Sequence, residues 1–397
     1  MHRRLQPAFQ QADAGCAGAV VGGGDAGSPS GGFPRHRRHP VLCPASDAGL
    51  RGRKQAGLDP QLHGHLRPPR RSARPGDPMT RLHAALKRFW LEPVVPDALA
   101  FLRVAVAGIA LVQLVILWPY LRTFYGNYGL VQWVVTDLSS RSWTPSVGML
   151  ALKLAPLGIS ATATLYGVFS LYGVSLVGML LGYRTRLFAV LVWAMHGLTS
   201  ASATLSLYGV DTLLHVLFFY LAVMPTAGRW SLDALAGRAS GEPSSLARVA
   251  QRTLQIHLCF IYLNTGLAKA QGIQWWTGEA LWRALMQPQF NVFDFSWLAA
   301  HPFIAQLACW GTLVIEVGYA GMIWVPRLRR PWLLTTLMLH AGIAVCLRLW
   351  LFSLTMMAFN LAAFAWGPRP AVAPEPPEDD AQPVRVPDAA LLAAEAS

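Results

Sequence analysis

Eight apolar runs, each near the length of about 20 residues that a bilayer core requires, constrain this chain more than any other feature. They cover residues 98–118, 161–182, 187–206, 207–224, 252–271, 303–325, 332–347 and 349–366. A backbone inside lipid must satisfy its own hydrogen bonds, which leaves helices or a closed barrel, and runs of this length specify helices. The expected fold class is therefore all-α, a polytopic transmembrane helical bundle of about eight spans. A further stretch, TGEALWRALMQPQF (277–290), places Trp282 among its apolar residues and suits an interfacial helix. Composition agrees: 13% of residues are charged, against roughly 25% in an average soluble domain. The 15 tryptophans fit a chain with two lipid–water interfaces.

Net charge is +13, a balance that in a soluble protein would suggest nucleic acid. Its distribution excludes that partner, because the basic residues lie in the N-terminal tail and in short loops between apolar runs. Arg184 and Arg186, then Arg229, Arg238 and Arg248, then Arg327, Arg329 and Arg330 fall on alternate connections. The charge bias of such loops puts both termini in the cytoplasm. The WWTG segment (275–278) is then on the outer side. Five cysteines form no CxxC pair, and three lie inside apolar runs, so no disulfide framework or zinc site is legible.

Residues 1–78 contain no Ile, Trp, Tyr, Thr, Asn or Glu and are crowded with Arg, Gly, Pro and Ala. Such a segment cannot offset the entropy of folding and reads as a disordered basic tail. Translated GC-rich DNA upstream of a start at Met79 would have the same composition. Residues 79–367 form the transmembrane domain, and 368–397 a proline-rich acidic tail expected to be disordered.

Ionisable side chains at membrane depth are costly, so each one needs a partner or a task. Arg103 either snorkels to the headgroups or meets a buried acid. Asp211 and His215 are one turn apart on the fourth span, where a carboxylate can orient an imidazole for acid–base work or simply hydrogen-bond between helices. His196, among small residues, suits helix packing. His257 and Asn264, seven residues apart, share a face expected to point into the bundle. Glu316 is mid-span and must be protonated or paired, with Arg103, Lys269 or a histidine as partner. His340 is midway along the seventh span. Lys269 ends the fifth span on the side opposite the basic loops, so it is either an anchor or, partly buried, a base.

The runs PDALAFLRVAVAG, IYLNTGLAKAQGIQWWTGEALWRAL and LHAGIAVCLRLWLFSLTMMAFNLAAF resemble the HTTM domain, the membrane core shared with vitamin K-dependent gamma-glutamyl carboxylase. The resemblance covers about residues 86–367. Its most specific element is Tyr262, Gly266 and Lys269 followed by Trp275 and Gly278, with Ala268 standing where the carboxylase carries the first of two lysines. It implies that Lys269 is the base that deprotonates a vitamin K-type hydroquinone. From their polarity at membrane depth, Lys269, His215, Asp211, His257, Asn264, Glu316 and His340 are expected to converge on one cavity open toward the outer leaflet, with His215 and Asp211 assisting Lys269 and Trp275 beside it. In size the chain is similar to the short bacterial, SdpB-like members, one of which is needed to mature a secreted toxin peptide.

Two functions are open on these grounds. One is an enzyme that modifies a secreted peptide or uses a quinone-type lipid. The other is a non-catalytic transporter, or an accessory or immunity factor for peptide export, that uses the same polar interior as a binding cavity. A transporter would often show internal repeats, and no convincing repeat is legible here.

Overall fold

The computed structural model describes residues 78–131, 133, 145–204, 206–290 and 293–366. The expectations for residues 1–77 and 367–397 lie outside the described residues. Two units are distinguished, Met1–His83 and Ala84–Ser397; of the first, only residues 78–83, the opening of helix α1 (Pro78–Leu91), are described.

The described part of the second unit is helical, apart from one isolated bridge between Val94 and Ser244. After α1 come α2 (Asp97–Leu117), α3 (Val147–Leu154), α4 (Ala161–Leu181), α5 (Thr185–Ala201) and α6 (Gly209–Val223). Then follow α7 (Ser245–Ala270), α8 (Ile273–Thr277), α9 (Glu279–Leu285), α10 (Pro302–Met322), α11 (Pro326–Leu347) and α12 (Trp350–Phe364). Among the described residues, four helices are long and apolar enough to cross a membrane: α2 with its extension to Tyr125, α4, α10 and α11. They show large apolar side chains on their outer faces, including Val115, Val314, Leu334 and Met338. A bundle with such an outer surface is stable only where lipid covers it, so the chain is an integral membrane protein.

The expected count of about eight is not reached by length and apolarity. Helices α6 and α12 are apolar but have 15 residues each, and α5 has 17. Helix α7 is long enough, but its first two turns carry Arg248, Gln251 and Arg252. The stretch 277–290 forms α9, whose Leu281, Trp282 and Leu285 pack with Leu298, Ala305 and Leu347.

Helices α2, α4, α5 and α6 pack in one group and α7, α10, α11 and α12 in another, with α12 against α2 at the seam. The basic connections gather at one end. There Asp97 pairs with Arg229 at 3.0 Å, and Arg252 stacks its guanidinium 4.0 Å from the Phe89 ring. Arg103 is fully buried rather than snorkelling, and its N–H groups go to carbonyls rather than to an acid, with Asp233 acting on it only through space. All five of its N–H groups donate to carbonyls: Nε to Thr226, one terminal nitrogen to Met179 and Leu180, the other to Arg229 and Trp230. Two of those carbonyls end α4, where a cation suits the helix dipole. On the other side of the GYRT turn, Asp233 accepts the backbone N–H groups of Arg184 and Thr185 that open α5. The turn between α4 and α5 is thus held by a cation at one helix end and a carboxylate at the next.

Candidate functional site

The motif residues Tyr262, Gly266 and Lys269 are spaced i, i+4, i+7, so they lie on one face of α7. That face meets α10, which runs antiparallel and presents Glu316 and Tyr319 one turn apart. Three rungs result. The rings of Tyr262 and Tyr319 lie 4.2 Å apart. Gly266 abuts the α10 backbone so closely that a Cβ there would come within 3.0 Å of Val317 N and of Glu316 Cβ. One turn on, Lys269 Nζ donates to both oxygens of Glu316, at 2.8 and 2.7 Å. The glycine permits the approach that lets the lysine reach the acid. Glu316 therefore takes Lys269 as its partner, rather than Arg103 or a histidine.

Lys269 is the penultimate residue of α7, yet it does not mark the edge of the bundle. Glu316 is 14 residues into α10, about 21 Å along that helix at 1.5 Å per residue. The chain between α7 and α10 covers that stretch of α10. In it Trp276 O accepts from Gln306 Nε2 and Trp310 Nε1. Gly278 has φ 86° and sits against Gln306 N, where a Cβ would approach to 2.6 Å. Trp275 turns its ring toward Lys269 Nζ, 5.4 Å from the centroid. All five residues of the Tyr–Gly–Lys–Trp–Gly pattern thus shape one corner.

Below the ion pair lies a second layer, fully buried. Tyr319 donates to Asn360 Oδ1 at 2.7 Å, and Asn360 Nδ2 donates to the Tyr262 hydroxyl oxygen at 2.8 Å and to Met356 O at 2.9 Å. The Tyr262 hydroxyl lies 2.7 Å from His340 Nε2. With Lys269, Glu316 and Trp275 these residues form one cluster drawn from α7, α8, α10, α11 and α12. Lys269 keeps 27% side-chain exposure and Glu316 9%. The pair is held yet reachable.

The remaining sequence-derived residues are elsewhere. Asp211 is the third residue of α6, accepting the Tyr208 N–H at 3.1 Å and the Gln113 amide at 3.2 Å. His215 turns away from it, stacked on Trp193 and on His196, with the two histidine Nδ1 atoms 3.5 Å apart. His257 is half-buried, its Nδ1 2.9 Å from the Tyr220 hydroxyl. These two, with Trp90, Thr253, Ile256 and Phe260, line an open cavity of about 320 Å³. Asn264 does not share the interior face. It is exposed, because the inward side of α7 follows Tyr262, Gly266 and Lys269 and position 264 points the opposite way.

A family model of the HTTM domain matches residues 134–366, more than half of the chain. The chain belongs to the HTTM family. No curated protein and no solved structure matches it. Within this HTTM domain, Tyr319 and Asn360 are site residues that sequence reasoning passed over. Asn360 had a visible signal, a lone amide inside the apolar run TMMAFNLAAF. Tyr319 had none, since one more aromatic residue in a span is ordinary packing.

Proposed function

We propose that this HTTM protein is a membrane-embedded enzyme that modifies or matures a secreted peptide with the help of a quinone-type lipid, and that Lys269 is its base. The observation that carries the reading is the two-pronged Lys269–Glu316 contact at membrane depth. Glu316 grips the Lys269 nitrogen through both of its oxygens and so fixes it where a substrate hydroxyl would meet it. The residues fit a vitamin K-type hydroquinone: Trp275 offers a flat indole face, Lys269 a proton acceptor and Glu316 the carboxylate that holds it. When bound, such a group supplies the reducing equivalents for oxygen-dependent chemistry.

In this reading α2, α4, α5, α6, α7, α10, α11 and α12 all cross the bilayer of a bacterial inner membrane. Both termini and the basic connections are cytoplasmic, and the 273–300 segment covers the site from the outer side. His215, Asp211 and His257 then lie outside the reacting corner and serve neighbouring surfaces. A second reading, as a transporter or an accessory factor for peptide export, has one observation in its favour. Helix α7 stops alongside the middle of α10, and interrupted helices at such depth are typical of transport sites.

Lysine variants separate the two. Lys269→Ala and Lys269→Arg should both abolish hydroquinone oxidation and the mass change in co-expressed secreted peptides, because arginine keeps the charge but cannot deprotonate. Activity that survives in Lys269→Arg would leave the lysine as a charge partner only, and a parent protein that neither oxidises hydroquinone nor changes peptide mass would favour the second reading.

A further inference from the structure

The polarity of the Tyr319–Asn360–Tyr262–His340 chain can be fixed atom by atom. Met356 O is a carbonyl and can only accept, so the Asn360 nitrogen faces it. Asn360 Oδ1 then faces Tyr319, whose hydroxyl must donate. The second hydrogen of the Asn360 amide goes to the Tyr262 oxygen. The hydroxyl hydrogen of Tyr262 has His340 Nε2 before it. His340 is therefore neutral with its proton on Nδ1. The alternative, a proton on Nε2, would leave both the Tyr262 O–H and the Nδ1 lone pair unsatisfied, two buried groups instead of one. An imidazolium would add an uncompensated charge at membrane depth.

His340 is 3% exposed, and among the described residues its Nδ1 has no hydrogen-bond partner. A buried N–H left in this state is expensive, and here the whole chain of donors serves to produce it. We propose that His340 Nδ1–H is a ligand-binding donor, and that it takes the acceptor oxygen of an uncharged, bilayer-soluble molecule. The ligand is uncharged because Lys269 and Glu316 already cancel one another, so a charged group would be left without a counter-ion. Tyr319, Asn360 and Tyr262 are positioning residues that fix the tautomer. This rests on the reading that the Lys269 corner binds a ligand, and it adds the group that would orient it.

The test is solid-state nitrogen NMR of the full chain in lipid bilayers, with histidine labelled at both ring nitrogens. The His340 signals are assigned with His340→Gln or, should that variant not fold, with Tyr262→Phe, which removes only the hydroxyl facing the ring. The expected result is a protonated Nδ1 in on the order of tenfold excess or more, as one fewer unsatisfied buried group implies, and loss of that preference in Tyr262→Phe. Acetophenone should then shift the Nδ1 signal, while ethylbenzene, of similar shape but without the oxygen, should not. A protonated Nε2 would overturn the donor assignment, as would a tautomer preference unaffected in Tyr262→Phe. Equal shifts with both probes, or none with acetophenone, would overturn the ligand assignment. So would an Nδ1 proton that takes its magnetisation from a trapped water and ignores both probes. None of these readouts depends on turnover, so they stand apart from the lysine variants.

Discussion

Arg103 and Lys269, two cations away from the surface, are treated in opposite ways. Arg103, near the basic end, is enclosed completely and spends all five N–H groups on backbone carbonyls. Lys269, in the corner between α7 and α10, has one carboxylate for a partner and keeps a quarter of its side chain open. A guanidinium satisfied on every side holds helices together and has nothing left to offer. An ammonium held by a single carboxylate and left partly open can still meet a ligand. Burial alone does not distinguish a structural charge from a chemical one; the number and kind of partners does.

If the contrast is right, Arg103 is the costlier residue to lose. Arg103→Met should leave carbonyls at the end of α4 and in the loop after α6 without donors, destabilising the protein by about 5 kcal/mol or more. Arg103→Lys should recover little, because an ammonium cannot reach across the same carbonyls. Yield and thermal unfolding of the purified protein in detergent measure this. A near-normal melting temperature for Arg103→Met would erase the distinction between the two ends.

Lys269 and Glu316 should behave as a cycle. Removing either partner alone strands the other charge and should cost about 3 kcal/mol, less than for a fully enclosed pair because Lys269 is partly exposed. Replacing both, as Lys269→Met with Glu316→Leu, should restore most of that stability while leaving no activity. Thermal unfolding of the three variants gives the coupling. Additive losses would mean that the contact is not a pair.

How far these two regions could be read from sequence differs for a physical reason. The periodic spacing of Tyr262, Gly266 and Lys269 is local, so their shared face was legible, and the apolar runs gave the helices. Register between helices is not local. Nothing in the order of residues says that Glu316 is level with Lys269, that α7 ends beside the middle of α10, or that Asn360 reaches Tyr262. Arg103 was misjudged for the same reason: its partners are carbonyls, which every residue carries, so composition holds no trace of them. Asp211 and His215 show the converse: sharing a helix face did not make them partners, and each meets another helix instead, Asp211 through Gln113 and His215 through His196.

Gly266 sharpens the same point about register. Gly266→Ala puts a methyl group against Val317 N and Cγ2 and Glu316 Cβ, all within about 3.0 Å. Helices α7 and α10 must separate, at a cost near the upper end of the roughly 1–3 kcal/mol typical of overpacking. Double electron–electron resonance between labels on the two helices would register the widening. An unchanged distance with unchanged stability would show that the close approach is not required.

The smallest effect belongs to the basic end and depends on pH. Burial pushes the Asp233 carboxyl up, but the amide and hydroxyl of Thr185, the Arg238 side chain and the Arg184 amide outweigh it and hold the group at about 2, below its ordinary 3.8. A carboxylate whose pKa is lower in the folded protein contributes stability above its unfolded value. It loses that contribution as pH falls through the folded one. Asp233 should therefore contribute about 2 kcal/mol at neutral pH, lost between about pH 4 and pH 2. Other carboxylates titrate in the same window, so the measurement is the difference between the parent and Asp233→Asn. The variant should melt lower at pH 7, and the two curves should converge near pH 2. Curves that stay parallel throughout would mean that the opening of α5 is not held by this carboxylate, and that Arg103 alone anchors the α4–α5 turn.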